Sequence, residues 1–226
     1  KDLWKSPDGR TVDLGVYYHG PHAHNVQRML DAMKISLDIF SEKFSPYQFH
    51  QLRILEFPAY ASFAQSFANT VPYSESIGFI QNFKGESQDS KIDLVTYVTA
   101  HEVAHQWWAH QVVGPEMQGS TLLSESMSQY SALMVMEKMY GKESMHIFLR
   151  YEMDRYLSSR GSEFGEEKPL LNVNPNQGYV HYQKGSVVLY YLKEMIGEDR
   201  INSVLKRLIE KYAYQDPPYP TSYDLV

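Results

Sequence analysis

Cysteine is absent from the 226 residues. That excludes disulfides and any thiolate zinc site, and it leaves the redox compartment open, because a cysteine-free domain suits either setting. No apolar run reaches the roughly 18 residues of a membrane span, and no charged segment leading into an apolar core reads as a signal peptide. Excess positive charge is missing too: 21 Lys and Arg stand against 27 Asp and Glu, a net charge of −6. That balance argues against nucleic acid as a partner. Internal repeats and low-complexity tracts are also lacking. What remains, 43% hydrophobic and 21% charged residues, is the composition of a soluble globular domain. The 18 tyrosines and 10 methionines supply core and half-buried groove.

In chain order, residues 11–18 predict a strand, and 25–44 predict a helix with Val26, Leu30, Met33, Leu37 and Phe40 on one face, stopped by Pro46. Between them lies His19-Gly-Pro-His-Ala-His. Three histidines there invite a metal site, but the Gly-Pro pair favours a solvated loop. Residues 52–58 read as a second strand, 59–72 as a loop and 73–80 as a third, edge strand. Such an edge, beside a metal-binding helix, would hold an extended peptide through ladder hydrogen bonds. A polar loop at 84–90 precedes a long helix, 91–113, with Asp89 or Ser90 as its cap. Further helices are expected at 120–140 with Gly141 behind it, at 143–159 closed by Gly161, at 186–196 and at 199–212. A loop at 161–179 forms one wall of a cleft. Both ends look cut. Lys1-Asp-Leu-Trp-Lys enters without a start signal, and 219–226 opens a helix capped by Thr221 or Ser222 and then stops. The expectation is one domain over 1–226 excised from a longer chain, with an α/β part at 1–90 and a mainly helical part at 91–226.

The chemistry sits in His101-Glu-Val-Ala-His105. On a helix, residues four apart share a face, so both imidazoles reach one metal ion. Glu102, rotated about 100° from His101, flanks the metal without binding it. That suits a carboxylate taking a proton from metal-bound water. Glu125, with nineteen residues between it and His105, lies in the first turns of the next helix, where a chain turning back brings it to the same ion. Two His and one Glu leave one tetrahedral position open, the pattern of a catalytic zinc rather than a structural one. Two satisfied histidines on a buried helix, and a Glu serving only the helix dipole, are the plainer alternatives.

Together with Tyr182-Gln-Lys-Gly185, these motifs resemble the catalytic domain of the M1 family of zinc aminopeptidases, gluzincins with a thermolysin-like fold. The resemblance covers most of 70–200. It implies an α+β zincin domain, a small mixed sheet on the N-terminal side packed on a mainly helical lobe. It implies Zn²⁺ held by His101, His105 and Glu125, with Glu102 as general base. Tyr182 then donates a hydrogen bond to the oxyanion, and a peptide is the substrate. The usual gap between His105 and the third ligand is eighteen residues, and the extra one is placed in loop 114–119. The family's Gly-Ala-Met-Glu-Asn segment, whose Glu binds the substrate's free amine, aligns its Glu with Glu75, with Ser76 and Gly78 as substrate-binding neighbours. Pro72, Tyr73 and Ser74 replace the rest. This version is similar to M1-type domains attached to bacterial transporter permeases, so the parent protein is expected to be membrane-attached although this segment holds no span. Gln129 is a candidate to support the metal site. His110 and His181 are not needed as ligands. A rival reading keeps the same zinc cleft in a catalytically weak peptide-binding or sensory module of a larger protein.

Overall fold

The computed structural model describes residues 1–81 and 92–226. Four strands, β1 (Asp2–Lys5), β2 (Thr11–Tyr17), β3 (Gln51–Phe57) and β4 (Thr70–Ser74), form one sheet in that order. β1 runs antiparallel to β2, and β2, β3 and β4 run parallel. The sheet is therefore mixed, as expected. β1 has no sequence signal of its own: only Trp4 of its four residues is buried, and pairing with β2 makes it a strand.

The last strand departs from expectation. It covers 70–74 rather than 73–80, and residues 75–80 form turns. Pro72 is tolerated because this is the outermost strand. Its outer edge is not free. The N–H of Gln65 donates to Pro72 O (3.1 Å), that of Ser74 to Phe63 O (3.0 Å) and that of Phe67 to Thr70 O (2.8 Å). The segment 63–67, expected to be plain loop, occupies the edge expected to hold a peptide. Gly78 is a packing glycine here. A Cβ would stand 2.4 Å from the Tyr73 ring and 2.7 Å from Met29 Cε.

Helix α1 (Val26–Lys43) buries Met29, Leu30, Met33, Leu37 and Phe40, close to the predicted stripe. Helix α2 (Leu94–Ala104) packs against both α1 and α3 (Met127–Tyr140). It is buried from Val95 to Ala104 except at half-buried Val98, and its buried residues include Thr96, Thr99, His101 and Glu102. Its cap is Asp93, whose carboxylate accepts from Thr96 N at 3.0 Å. The predicted caps Asp89 and Ser90 lie outside the described residues. The helix also ends nine residues earlier than its apolar pattern suggests, because Trp107 and Trp108 turn into the core. Trp107 packs edge-on against Phe40 (5.5 Å), and Trp108 packs edge-on against Phe44 (5.0 Å). Burying two indoles outweighs continuing the helix.

Three further helices close the lobe: α4 (Met145–Ser162), α5 (Gly185–Ile196) and α6 (Glu198–Tyr212). α4 runs through Gly161, which was expected to end it. At 222–225 a short 3-10 turn is capped by Thr221 and Asp224 in a reciprocal box. Of the described helices, none is long and apolar enough to cross a membrane.

Candidate active site

His101 lies in the last turn of α2, and His105 is its C-cap in helical conformation. Their Nε2 atoms are 3.0 Å apart. Glu125 enters from a π-helical turn, Leu122–Ser126, that leads into α3. Its Oε2 lies 3.2 Å from His101 Nε2 and 3.3 Å from His105 Nε2. π turns are rare and concentrate at functional sites. Yet Glu125 Oε2, buried as it is, closes no properly directed hydrogen bond among the described residues. Three donor atoms crowd together without satisfying one another.

A metal ion fits this triangle. Ligand bonds of about 2.0–2.1 Å around a tetrahedral zinc put neighbouring ligand atoms about 3.3 Å apart. The observed 3.0, 3.2 and 3.3 Å match three edges of such a tetrahedron, with the fourth vertex open. The second nitrogen of His105 is also fixed. Nδ1 faces Trp108 O at 2.9 Å and Ser128 Oγ at 3.1 Å. Donation from Nδ1 to the carbonyl leaves the Nε2 lone pair for a metal. Neither supporting group carries a sequence signal, since Trp108 acts through its backbone and Ser128 is one of three serines in five residues.

The electrostatics follow from burial. Desolvation raises the Glu102 carboxyl above its ordinary value, with the His101 and His105 rings opposing and Glu125 adding to the rise. A carboxylate held high in a dry site is a better base than one in water. Burial would lower His105, but the carboxylates of Glu125 and Glu102 together with Trp108 O outweigh it and bring it to about 9. Burial would raise Glu125, and the two imidazoles override that and hold it well below the carboxylate range. Burial first, then the Glu125 and Glu102 carboxylates, push the Tyr182 phenol up, so it stays protonated.

Tyr182 sits on a second π turn, Val180–Lys184, that feeds α5. Its ring centroid is 5.8 Å from that of His101. The two π turns are tied directly, Ser126 Oγ donating to His181 O at 2.6 Å. His101, Glu102 and Tyr182 line one cleft of about 380 Å³, together with Ser62, Gln129 and Glu152. The hydrogen bonds of the Gln129 amide go elsewhere than to the triad: it donates to Tyr97 Oη (2.9 Å) and to Glu152 (3.0 Å).

The amine-binding expectation fares differently. Glu75 is absent from the residues lining this cleft. One of its oxygens accepts from Ala59 N at 2.9 Å, and the other faces His22. Ser76 bonds Ser74 and Ser62, and Gly78 packs under Tyr73. The structure brings His101, Glu102, His105, Glu125 and Tyr182 together and leaves Glu75 out.

The chain matches the peptidase family M1 domain over residues 28–219. It is 24% identical to endoplasmic reticulum aminopeptidase 2 of Homo sapiens over 212 residues, 91% of this chain and 22% of that protein. It is likewise 24% identical to aminopeptidase M1-B of Oryza sativa subsp. japonica over 220 residues, 92% of this chain and 25% of that one. With aminopeptidase N of Lactobacillus delbrueckii subsp. lactis it shares 23% over 216 residues, 90% and 25% of the two chains. The chain thus spans about a quarter of the length of these relatives. A family match over most of the sequence, centred on the helices that carry the two imidazoles, the acid and the tyrosine, makes this chain a member of peptidase family M1.

Proposed function

We propose that this chain is the catalytic domain of a zinc-dependent peptide hydrolase of aminopeptidase type. The observation that carries the reading is the convergence of two imidazole nitrogens and one carboxylate oxygen within 3.3 Å of one another, on a cleft that Glu102 and Tyr182 also line. His101, His105 and Glu125 would hold the zinc. When bound, zinc supplies Lewis-acid polarisation of a carbonyl and lowers the pKa of water from about 15.7 toward about 7.

The chain's own groups do the rest. Glu102 accepts the proton of the attacking water and hands it to the leaving amine. Tyr182, kept protonated by its buried setting, donates to the oxyanion as it forms. The His105 ring is held in its metal-binding tautomer by Trp108 O. Preference for free N-termini rests on kinship with the aminopeptidases, because Glu75 does not line the cleft. Comparing free with N-capped peptides tests that part alone, and equal rates on the two would mark an endopeptidase.

The direct test of the chemistry is Glu102→Gln. The variant is expected to keep its zinc by elemental analysis and to lose at least about 10²-fold in peptide hydrolysis. Undiminished turnover would remove Glu102 from the role of base.

A further inference from the structure

We propose a second divalent-cation site, formed by His22, Glu56 and Glu75 outside the carboxyl ends of the parallel strands. It is independent of the triad on α2. The one ligand-capable atom from each of the three residues lies within 4.8 Å of the other two. His22 Nδ1 stands 2.5 Å from Glu56 Oε1 and 3.5 Å from Glu75 Oε2.

Both acids are aimed by the backbone. Glu56 Oε2 accepts from His19 N at 2.5 Å, which turns Oε1 toward His22. Glu75 Oε1 accepts from Ala59 N at 2.9 Å, which turns Oε2 toward the same point. One oxygen of each acid is thus pinned by an amide while the other faces the shared centre, the arrangement that orients carboxylate ligands in metal sites. His22 comes from the 3-10 turn before α1, Glu56 from β3 and Glu75 from the turn after β4. Open sheets with parallel strands bind ligands just beyond the carboxyl ends of those strands.

Charge gives the second argument. The Glu56 side chain is 6% exposed and that of Glu75 is 23% exposed. Two carboxylates at this separation repel unless a cation lies between them. The cavity that Glu56 and Glu75 line is otherwise bounded by Tyr17, Tyr18, His19, Leu55 and Pro58, with no lysine or arginine. One imidazole supplies at most a single positive charge. A divalent cation at the point the three side chains face would balance both acids. One nitrogen and two oxygens suit zinc and its first-row neighbours rather than calcium or magnesium. The site would staple the turn before α1 to the ends of β3 and β4. It also gives His22 and Glu75 work unconnected with the cleft.

The test is zinc stoichiometry on chelator-stripped protein, with zinc alone as the probe and elemental analysis after gel filtration. The parent is expected to retain two ions per chain. His22→Ala should retain one, His101→Ala/His105→Ala should retain one, and the triple variant none. Glu56→Gln, which keeps the side chain's shape, should weaken the second ion at least tenfold even if His22→Ala folds poorly. The proposal is overturned if His22→Ala and Glu56→Gln bind as much zinc as the parent, or if the variant lacking both α2 histidines binds none. A single ion in the parent that His22→Ala abolishes and the α2 double variant keeps would uphold this site and count against the triad instead.

Discussion

At the scale of single residues, the site works by setting several ionisable groups apart from their ordinary behaviour. Glu102 is raised by burial, Glu125 is held low by its two imidazoles and Tyr182 is held protonated. If Tyr182 serves only the oxyanion, Tyr182→Phe removes a donor felt in the transition state and not in the ground state. It should cut kcat by about 10²–10³, with KM and zinc content nearly unchanged. An equal rise in KM without loss of kcat would make the tyrosine a ground-state contact. Glu152 shows the cost of the cleft's dry wall. Burial pushes its carboxyl up to about 7, against the bonds from Tyr97 and Gln129 that would lower it. A carboxyl raised in the folded state holds its proton between the unfolded value, about 4.3, and about 7, so stability declines as pH climbs through that window. Glu152→Gln should match the parent's thermal midpoint near about pH 5 and exceed it near about pH 8. A constant offset at both would refute the assignment. Sequence alone named the pair of histidines, Glu102 and Glu125, because metal ligands and bases have few chemical substitutes and fixed spacings, whereas Tyr182, one of 18 tyrosines, was named only through the motif resemblance. It missed Ser128 and Trp108 O because a serine hydroxyl and a backbone carbonyl leave no distinctive mark.

At the scale of elements, the two π turns bring the acid and the tyrosine into one site. Gly185 shows how tight the junction is. A Cβ there would lie 2.5 Å from Ser126 Oγ and 2.9 Å from Ser126 Cβ, and Ser126 is the residue whose hydroxyl ties the turns. Gly185 has ordinary helical φ and ψ of −57° and −46°, so alanine would by propensity alone stabilise α5 by up to about 1 kcal/mol. Gly185→Ala is instead expected to destabilise by about 1–3 kcal/mol through overpacking, read from chemical denaturation. Adding Ser126→Gly should recover part of the loss. A stabilised single variant would show that the turns are not in close contact. Periodicity placed the helices well but misjudged two ends. α2 stops early because Trp107 and Trp108 are better buried than kept in register, and α4 runs on through Gly161. The outermost strand was displaced because Ile77 and Phe79 alternate like strand residues, whereas Phe79 is buried in a turn and the pairing belongs to 70–74.

At the scale of the molecule, a small mixed sheet and a helical lobe meet along α1 and α2. The loop before β4 is locked to the chain just after α2 by one buried glutamine. Gln106 Nε2 donates to Ser66 Oγ (2.6 Å) and Phe67 O (2.9 Å), and its Oε1 accepts from Asn69 N (2.8 Å). The segment filling the β4 edge is therefore held by the residue next to His105. A peptide entering the cleft meets a closed sheet edge on that side. The α+β class followed from the resemblance carried by the motifs at 101–105, 125 and 182–185, while periodicity placed the individual strands and helices around them. β1 and the filled edge were not placed, since both arise from pairing between segments that carry no periodicity of their own.

The central claim is that His101, His105 and Glu125 share one zinc ion. X-ray absorption at the zinc edge, on His22→Ala protein loaded with one equivalent, tests it most directly. The account predicts two imidazole nitrogens and a carboxylate oxygen at about 2.0–2.2 Å. A spectrum with one imidazole or none would contradict it.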